Sequence, residues 1–367
     1  MSKTQIRVLV VDDSALMRRV ISDSIAAEPD MAVVGTGTNG LEAVEKVLAL
    51  KPDVVTLDVQ MPGMDGLAAL EQILAKRPTP VIMVSSLTRR AADVTLNALE
   101  RGAIDYVAKP ETAAQAEQVL RGDLIRKIRG AYGADVARVM QIRKRRRPAH
   151  PAGDAPPTAA ATHKHSAHGD IDGLCITIGI STGGPPALVH LFESLAPPMP
   201  PIVVVQHMPA QFTGSFAKRL DALSDLAIKE AEQGEVVHAD HVYVAPGGMH
   251  LGLRHCGHLV HIDLHDGEPV GGHKPSVDVM MQSAARCYGA GCLGVVMTGM
   301  GHDGVEGCRA IKESGGYVLA QDRESSDVYG MNKLAIAAGH VDAEFSLDNA
   351  AAAITASLAK LRCGAPV

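Results

Sequence analysis

The sequence contains no tryptophan, and aromatic residues make up only 3% of it. A surface that stacks exposed bases needs flat rings, so a single-stranded nucleic-acid platform is excluded. No apolar run approaches the ~18 residues of a membrane-spanning helix, and no membrane insertion is expected. Met1 to Gln5 lacks the apolar core of a signal peptide, which points to the cytoplasm. The six cysteines, at 175, 256, 287, 292, 308 and 363, form no C-x-x-C pair. That fits reduced thiols better than disulfides or a zinc site. The formal net charge of −6 gives no bulk attraction to nucleic acid. What is present is apolar mass: 46% hydrophobic content over 367 residues, enough for two domains.

The first half alternates strands and helices. Ile6 to Val11 is an apolar strand ending in Asp12-Asp13, and Ser14 can cap the helix that follows. Further strands are expected at Met31–Gly35, Asp53–Leu57, Pro80–Val84 and Ala103–Val107, with a last helix from Thr112 towards Arg129. Short links between such elements predict a parallel sheet covered on both faces. Polar residues gather at strand C-terminal ends, where such sheets bind ligands: Asp12, Asp13, Asp58, Ser85 and Lys109. Three carboxylates in one crevice repel unless a cation neutralises them, and oxygen ligands suit Mg2+. Ser85 and Lys109 are then placed to contact a phosphoryl group on Asp58. Gly35-Thr36-Gly37-Thr38-Asn39-Gly40 matches a dinucleotide fingerprint, but it follows the second strand rather than the first, so it reads as a glycine-rich link.

Residues 4–122 resemble the receiver domain of bacterial response regulators. The resemblance rests on Asp12-Asp13, Asp58-x-x-Met61-Pro62-x-x-Asp65-Gly66, Ser85 and Lys109-Pro110. It implies a flavodoxin-like fold and phosphorylation of Asp58 by a histidine kinase. Mg2+ is then held by Asp13, Asp58, the Gln60 carbonyl and Asp12.

Residues 123–170 read as a linker. The chain turns basic through Arg143-Lys144-Arg145-Arg146-Arg147, then runs through a Pro-, Ala-, Thr- and His-rich stretch to Gly169. Such composition buries too little apolar surface to fold alone. The basic run is a solvated tether or a docking strip for an acidic partner. A DNA-binding regulator would need a helix-turn-helix here, and none is found.

The second half, residues 171–363, centres on Gly179-Ile180-Ser181-Thr182-Gly183-Gly184-Pro185. Leu174 to Ile178 is a buried strand, and Ala187 to Leu195 has helical spacing. Ser181 therefore sits between a strand end and a helix start, where free N–H groups can stabilise an oxyanion. Ile202 to Val205 is another buried strand, leading to His207. Gly291 to Thr298 is a third, leading to Gly299-Met300-Gly301-His302-Asp303. Asp303 reads either as an N-cap or as a carboxylate that orients His207. His273 to Asp278 opens a further helix; Ser276 reads as its cap, or the loop as the lining of a substrate cleft. His255, His258, His261 and His265 would face one way only on a helix, and the β-character there argues against a metal site. Converging strand ends allow a Ser181–His207–Asp303 triad in this chain order.

This half resembles the catalytic domain of chemotaxis protein-glutamate methylesterases. The matching segments are Ser181-Thr182-Gly183-Gly184-Pro185, Gln206-His207-Met208, Ala245 to His250, Pro275-Ser276-Val277-Asp278 and Thr298 to Gly304. The resemblance assigns the triad to Ser181, His207 and Asp303, with Thr182, Gly183 and Met300 around the oxyanion and substrate. It implies a phosphorylation-activated hydrolase that needs no esterase cofactor. Its substrates are chemotaxis receptors, from whose glutamyl methyl esters it releases methanol and whose glutamines it deamidates. Ile180 and Asn332 depart from residues common in the family. The expected architecture is two doubly wound α/β domains, the second Rossmann-like and three-layered with an antiparallel hairpin, in a monomer.

Overall fold

The computed structural model describes residues 5–86, 88–109, 120–134, 136–146 and 173–362. The chain divides into two compact units, Met1–Arg145 and Arg146–Val367.

The first unit holds a five-stranded sheet in the order β2-β1-β3-β4-β5. The strands are β1 (Ile6–Val11), β2 (Met31–Gly37), β3 (Val54–Asp58), β4 (Val81–Ser85) and β5 (Asp105–Ala108), and every pair is parallel. β3 and β4 are buried along their whole length, as strands covered on both faces must be. Ser14, Asn39 and Asp65 each accept a backbone N–H at a helix start, so these helices begin where their sequences place a cap. Gly40 opens the Gly40–Leu50 helix behind the Asn39 cap. The glycine-rich stretch is thus the end of β2, Gly35–Gly37, followed by a two-residue link into a helix.

Helices Ile125–Ala131 and Val136–Arg146 pack within this first unit rather than hanging from it. Leu124, Ile125, Ile128, Ala131, Val136 and Val139 are buried, and that apolar face carries the compact unit past residue 122. The expected helix start at Thr112, the Pro148–Gly169 stretch, His163, His165 and His168 lie outside the described residues.

The second unit holds a seven-stranded sheet, β14-β13-β12-β6-β7-β9-β8. In chain order these are β6 (Cys175–Ile180), β7 (Ile202–Gln206), β8 (Ala227–Glu230), β9 (His241–Val244), β12 (Cys292–Val296), β13 (Tyr317–Gln321) and β14 (Ala343–Phe345). All pairings are parallel. β10 (His250–Cys256) and β11 (Leu259–His265) form the expected antiparallel hairpin. The Val277–Tyr288 helix buries Val277, Met280, Met281 and Ala284 in one core with Val203, Val205 and Val296 of the sheet and Leu251 and Leu253 of the hairpin. Chain direction from β6 goes to β7 on one side and later returns to β12 on the other, the kind of switch point where such sheets bind ligands. Among the described residues, no helix is long and apolar enough to cross a membrane.

Candidate active site and acidic pocket

In the first unit, Asp12 follows β1, Asp58 ends β3, Ser85 ends β4 and Lys109 follows β5, so neighbouring strands deliver all four to one edge. Ligand oxygens of Asp12, Asp13 and Asp58 lie within 4.8 Å of one another. The Lys109 ammonium lies 2.8 Å from Oδ2 of both Asp12 and Asp58. Those two oxygens are buried, and neither is aligned with a hydrogen-bond donor despite the close ammonium. Gln60 N–H donates to the other Asp58 oxygen at 3.2 Å. Burial pushes the Asp58 carboxyl above its ordinary range, Asp12 adds to that push, and Lys109 only partly offsets it. Burial depresses Lys109, yet the two carboxylates outweigh it and hold the ammonium raised. The Ser85 hydroxyl is buried and accepts from Thr95 Oγ1 at 2.8 Å.

In the second unit, the three candidate residues follow three adjacent strands: Asp303 after β12, Ser181 after β6 and His207 after β7. Ile180 and Gln206 are register partners, and His207 N–H donates to the Ile180 carbonyl at 3.2 Å. Ser181 and His207 are each one residue beyond that pair, about one inter-strand spacing apart along the backbone. Ser181 N–H donates to the Thr298 carbonyl at 3.0 Å, which ties the serine turn to the β12 loop. Gln206 Nε2 donates to the Ser181 carbonyl at 3.0 Å and the His207 carbonyl at 3.2 Å, clamping the two loops together. Gly183 adopts φ +78°, the left-handed turn into the Gly184–Phe192 helix. A Cβ on Gly299 would lie 2.8 Å from Ser181 Cβ and 2.5 Å from Met331 Sδ, so only glycine lets the Met300 loop close against the serine. Among the described residues, the amides of Gly183 and Met300 donate to no protein acceptor.

His207 Nε2 lies 2.8 Å from Asp303 Oδ2. The opposite ring nitrogen, Nδ1, is buried with no hydrogen-bond partner. Asp303 accepts three further bonds: Val277 N–H at 2.8 Å, Asp278 N–H at 3.0 Å and the Ser276 hydroxyl at 2.8 Å. Its carboxylate therefore sits on the N-terminus of the Val277–Tyr288 helix, where the helix dipole favours a negative charge. Burial pushes Asp303 up, but His207 and the backbone donors outweigh it and hold the carboxyl well below the usual range.

Of the two readings of Asp303, the cap of its own helix is not met. The Val305–Glu313 helix has Gly304 at its cap position with no side-chain bond. Its N-terminal amides go instead to Asp278, which accepts Gly304 N–H at 2.9 Å and Gly307 N–H at 2.7 Å. Sequence reasoning put Asp278 in a matching segment and His273 in a candidate cleft loop but gave neither a role; the His273 ring stacks on His207 with centroids 3.8 Å apart and planes 10° from parallel. The acidic residue inside the first turn after Ser276 was the available signal for Asp278; nothing local signals His273. His255 and His261 face the backbone carbonyls of Cys287 and Gly234, at 3.0 and 2.8 Å. Ile180 and Asn332 are both fully buried, and Asn332 Nδ2 donates to the Gln321 carbonyl and Ser326 Oγ.

A receiver-type sheet joined in one chain to a sheet that carries a serine, a histidine and an aspartate at three adjacent strand ends, the last two bonded at 2.8 Å, is the arrangement of a receiver-bearing hydrolase. Residues 8–121 match the response regulator receiver domain family, and residues 176–354 match the CheB methylesterase family. The chain is 44% identical over 352 residues to a protein-glutamate methylesterase/protein-glutamine glutaminase of Geobacillus kaustophilus, covering 95% of this chain and 97% of the relative. A relative of the same description from Thiobacillus denitrificans is 45% identical over 336 residues, covering 91% and 92%. The solved catalytic domain of the Thermotoga maritima CheB methylesterase aligns at TM-score 0.49 and 40% identity over 52% of this chain and 98% of that one. This chain belongs to the protein-glutamate methylesterase/protein-glutamine glutaminase family.

Proposed function

We propose that this protein hydrolyses glutamyl 5-methyl esters and specific glutamine amides on chemotaxis receptors, using Ser181, His207 and Asp303. Ser181 Oγ attacks the ester carbonyl while His207 Nδ1 takes its proton. Asp303 holds the imidazole through Nε2 and stabilises the imidazolium that forms. The amides of Gly183 and Met300 receive the developing oxyanion, with Thr182 beside them in the substrate loop; removing one such donor typically costs about 3 kcal/mol of barrier. The imidazolium protonates the departing methoxide or amide, releasing methanol or ammonia. Water, deprotonated by the same nitrogen, then attacks the acyl-enzyme and returns Ser181 and a free glutamate. What supports this reading above all is the His207 ring, bonded to Asp303 at 2.8 Å through one nitrogen and left without a partner at the other.

The receiver regulates that chemistry in this proposal. Asp58 accepts phosphate from a histidine kinase, and the phosphoryl group is contacted by Lys109 and Ser85. Two buried carboxylate oxygens with unmet acceptor capacity fit a hard dication, and Asp12, Asp13, Asp58 and the Gln60 carbonyl would hold Mg2+. Bound there, the ion would neutralise charge on the transferring phosphoryl group. The enzyme works in the cytoplasm as a monomer.

Methanol release from methylated receptor, with and without the small phosphodonor acetyl phosphate, tests the whole reading. Ser181→Ala should abolish release and leave the unfolding temperature unchanged; ample residual turnover would sink the triad. Asp58→Ala should lose the response to acetyl phosphate, and an Asp58→Ala protein that responds like wild type would remove the switch.

A further inference from the structure

Each of two buried aspartates caps the helix that belongs to the other. Asp303 precedes the Val305–Glu313 helix but binds the first amides of the Val277–Tyr288 helix. Asp278 lies in the first turn of the Val277–Tyr288 helix but binds Gly304 and Gly307 at the start of the Val305–Glu313 helix. Both are nearly closed to water, at 7% exposure for Asp278 and 2% for Asp303. The exchange fixes the loop that carries Asp303 from both ends. It also puts a second carboxylate directly behind the one that orients His207.

We propose that Asp278 is a positioning residue for the hydrolase site, holding the Asp303 loop through Gly304 and Gly307 and raising the basicity of His207 through its own negative charge. The proposal rests on the triad reading above. The charge argument follows from the surroundings. Asp278 is faced by Asp303 and by Cys308, whose thiol it helps to push up, while His250 Nδ1 accepts the Ser276 amide one turn away. Among the described residues, no lysine or arginine forms an ion pair with Asp278 or Asp303, and the His207 ring, 2.8 Å from Asp303, is the basic group beside this pair. Burial raises the Asp278 carboxyl, and the Asp303 charge adds to that push while the Gly307 and Gly304 amides oppose it, the direction expected of two like charges sharing a site. Ionised Asp278 therefore favours the protonated imidazole, and a neutral residue there disfavours it.

The test is the titration of His207 in the full chain, followed by NMR of histidine-labelled protein, with His207→Gln to assign its signal. In Asp278→Asn the side-chain oxygen still accepts from Gly304 and Gly307, but the charge is gone. The His207 midpoint should then move down by roughly one pH unit, the order of effect of one nearby charge. The acid limb of the kcat/KM profile for methanol release should move with it. A folded Asp278→Asn protein with an unmoved His207 midpoint would overturn the proposal, because a cap of purely structural value leaves that midpoint alone. If Asp278→Asn does not fold, Asp278→Ser, which also removes the charge, is titrated in its place. A lowered His207 midpoint supports the coupling, and an unmoved one overturns it. Failure of the triad reading is separately visible: the NMR shift would appear in a protein that releases no methanol.

Discussion

Asp58 and Asp303 are both buried aspartates at the C-terminal edge of a parallel sheet, yet their ionisation is pushed in opposite directions. The difference lies in what surrounds them. Asp303 receives two backbone amides, a hydroxyl and an imidazole, so every lone pair aimed inward meets a donor. Asp58 receives one amide, shares a lysine with Asp12, and keeps a buried oxygen outside hydrogen-bond alignment. A satisfied carboxylate is a fixed anion, suited to hold a ring in place. An under-satisfied one has capacity left for a cation and a phosphoryl group. Burial alone therefore does not decide what an aspartate does; the count and alignment of donors does.

The largest expected effect breaks the satisfied side of this contrast. Asp303→Asn should lower kcat for methanol release by about ten-thousand-fold, because an amide that donates to His207 Nε2 enforces the wrong tautomer. Steady-state assays on methylated receptor measure it, and a loss under tenfold would mean that Asp303 does not orient the base.

The same pair of substitutions at the two aspartates should move stability in opposite directions. Asp303 is held ionised, so its contribution is present above the ordinary carboxylate range of about 4 and is lost as pH falls below it. Asp58 is raised, so folding favours its protonated form, and its ionised form at neutral pH is a net cost that shrinks as pH falls. Asp303→Asn should therefore destabilise the second unit by about 2 kcal/mol at pH 7, since a buried donor–acceptor network is broken. Asp58→Asn should stabilise the first unit by about 1 kcal/mol. Calorimetry of the full chain reads both. Adding Mg2+ should raise the wild-type first transition and barely move that of Asp58→Asn. Equal signs for the two variants would dissolve the contrast.

Strand ends were legible in the sequence because β-branched runs such as Ile202–Val205 stop at polar, glycine-rich turns. That local signal brought Ser181, His207 and Asp303 to one edge and did the same for Asp12, Asp58, Ser85 and Lys109. What it could not give was partnership across sequence. Asp278 and Gly304 are neighbours only because two helices pack side by side, and a reading of either segment alone sees an acidic residue in a helical turn. Asp303 looked like a cap for the same reason: the pattern of a cap was present, but the amides it binds lie on another helix. The reach of the first unit to Arg145 was hidden by basic residues, which mask the apolar face of Ile125, Ile128 and Val136 in a composition count.

The smallest expected effect concerns a ring stack in the hydrolase pocket. His273 lies flat on His207, with ring centroids 3.8 Å apart. A ring held by a single bond at Nε2 can still rock about that bond, and Nδ1 must point at one place to take a proton from Ser181. The stacked face removes that freedom and keeps water off one side of the base. Aromatic stacking is typically worth about 1 kcal/mol beyond burial. His273→Ala should therefore lower kcat by roughly tenfold or less, with KM little changed, since substrate need not touch this face. His273→Phe keeps a flat ring and should recover most of the loss. If the phenylalanine variant is as impaired as alanine, the imidazole itself matters, and His273 acts through its nitrogens rather than its plane.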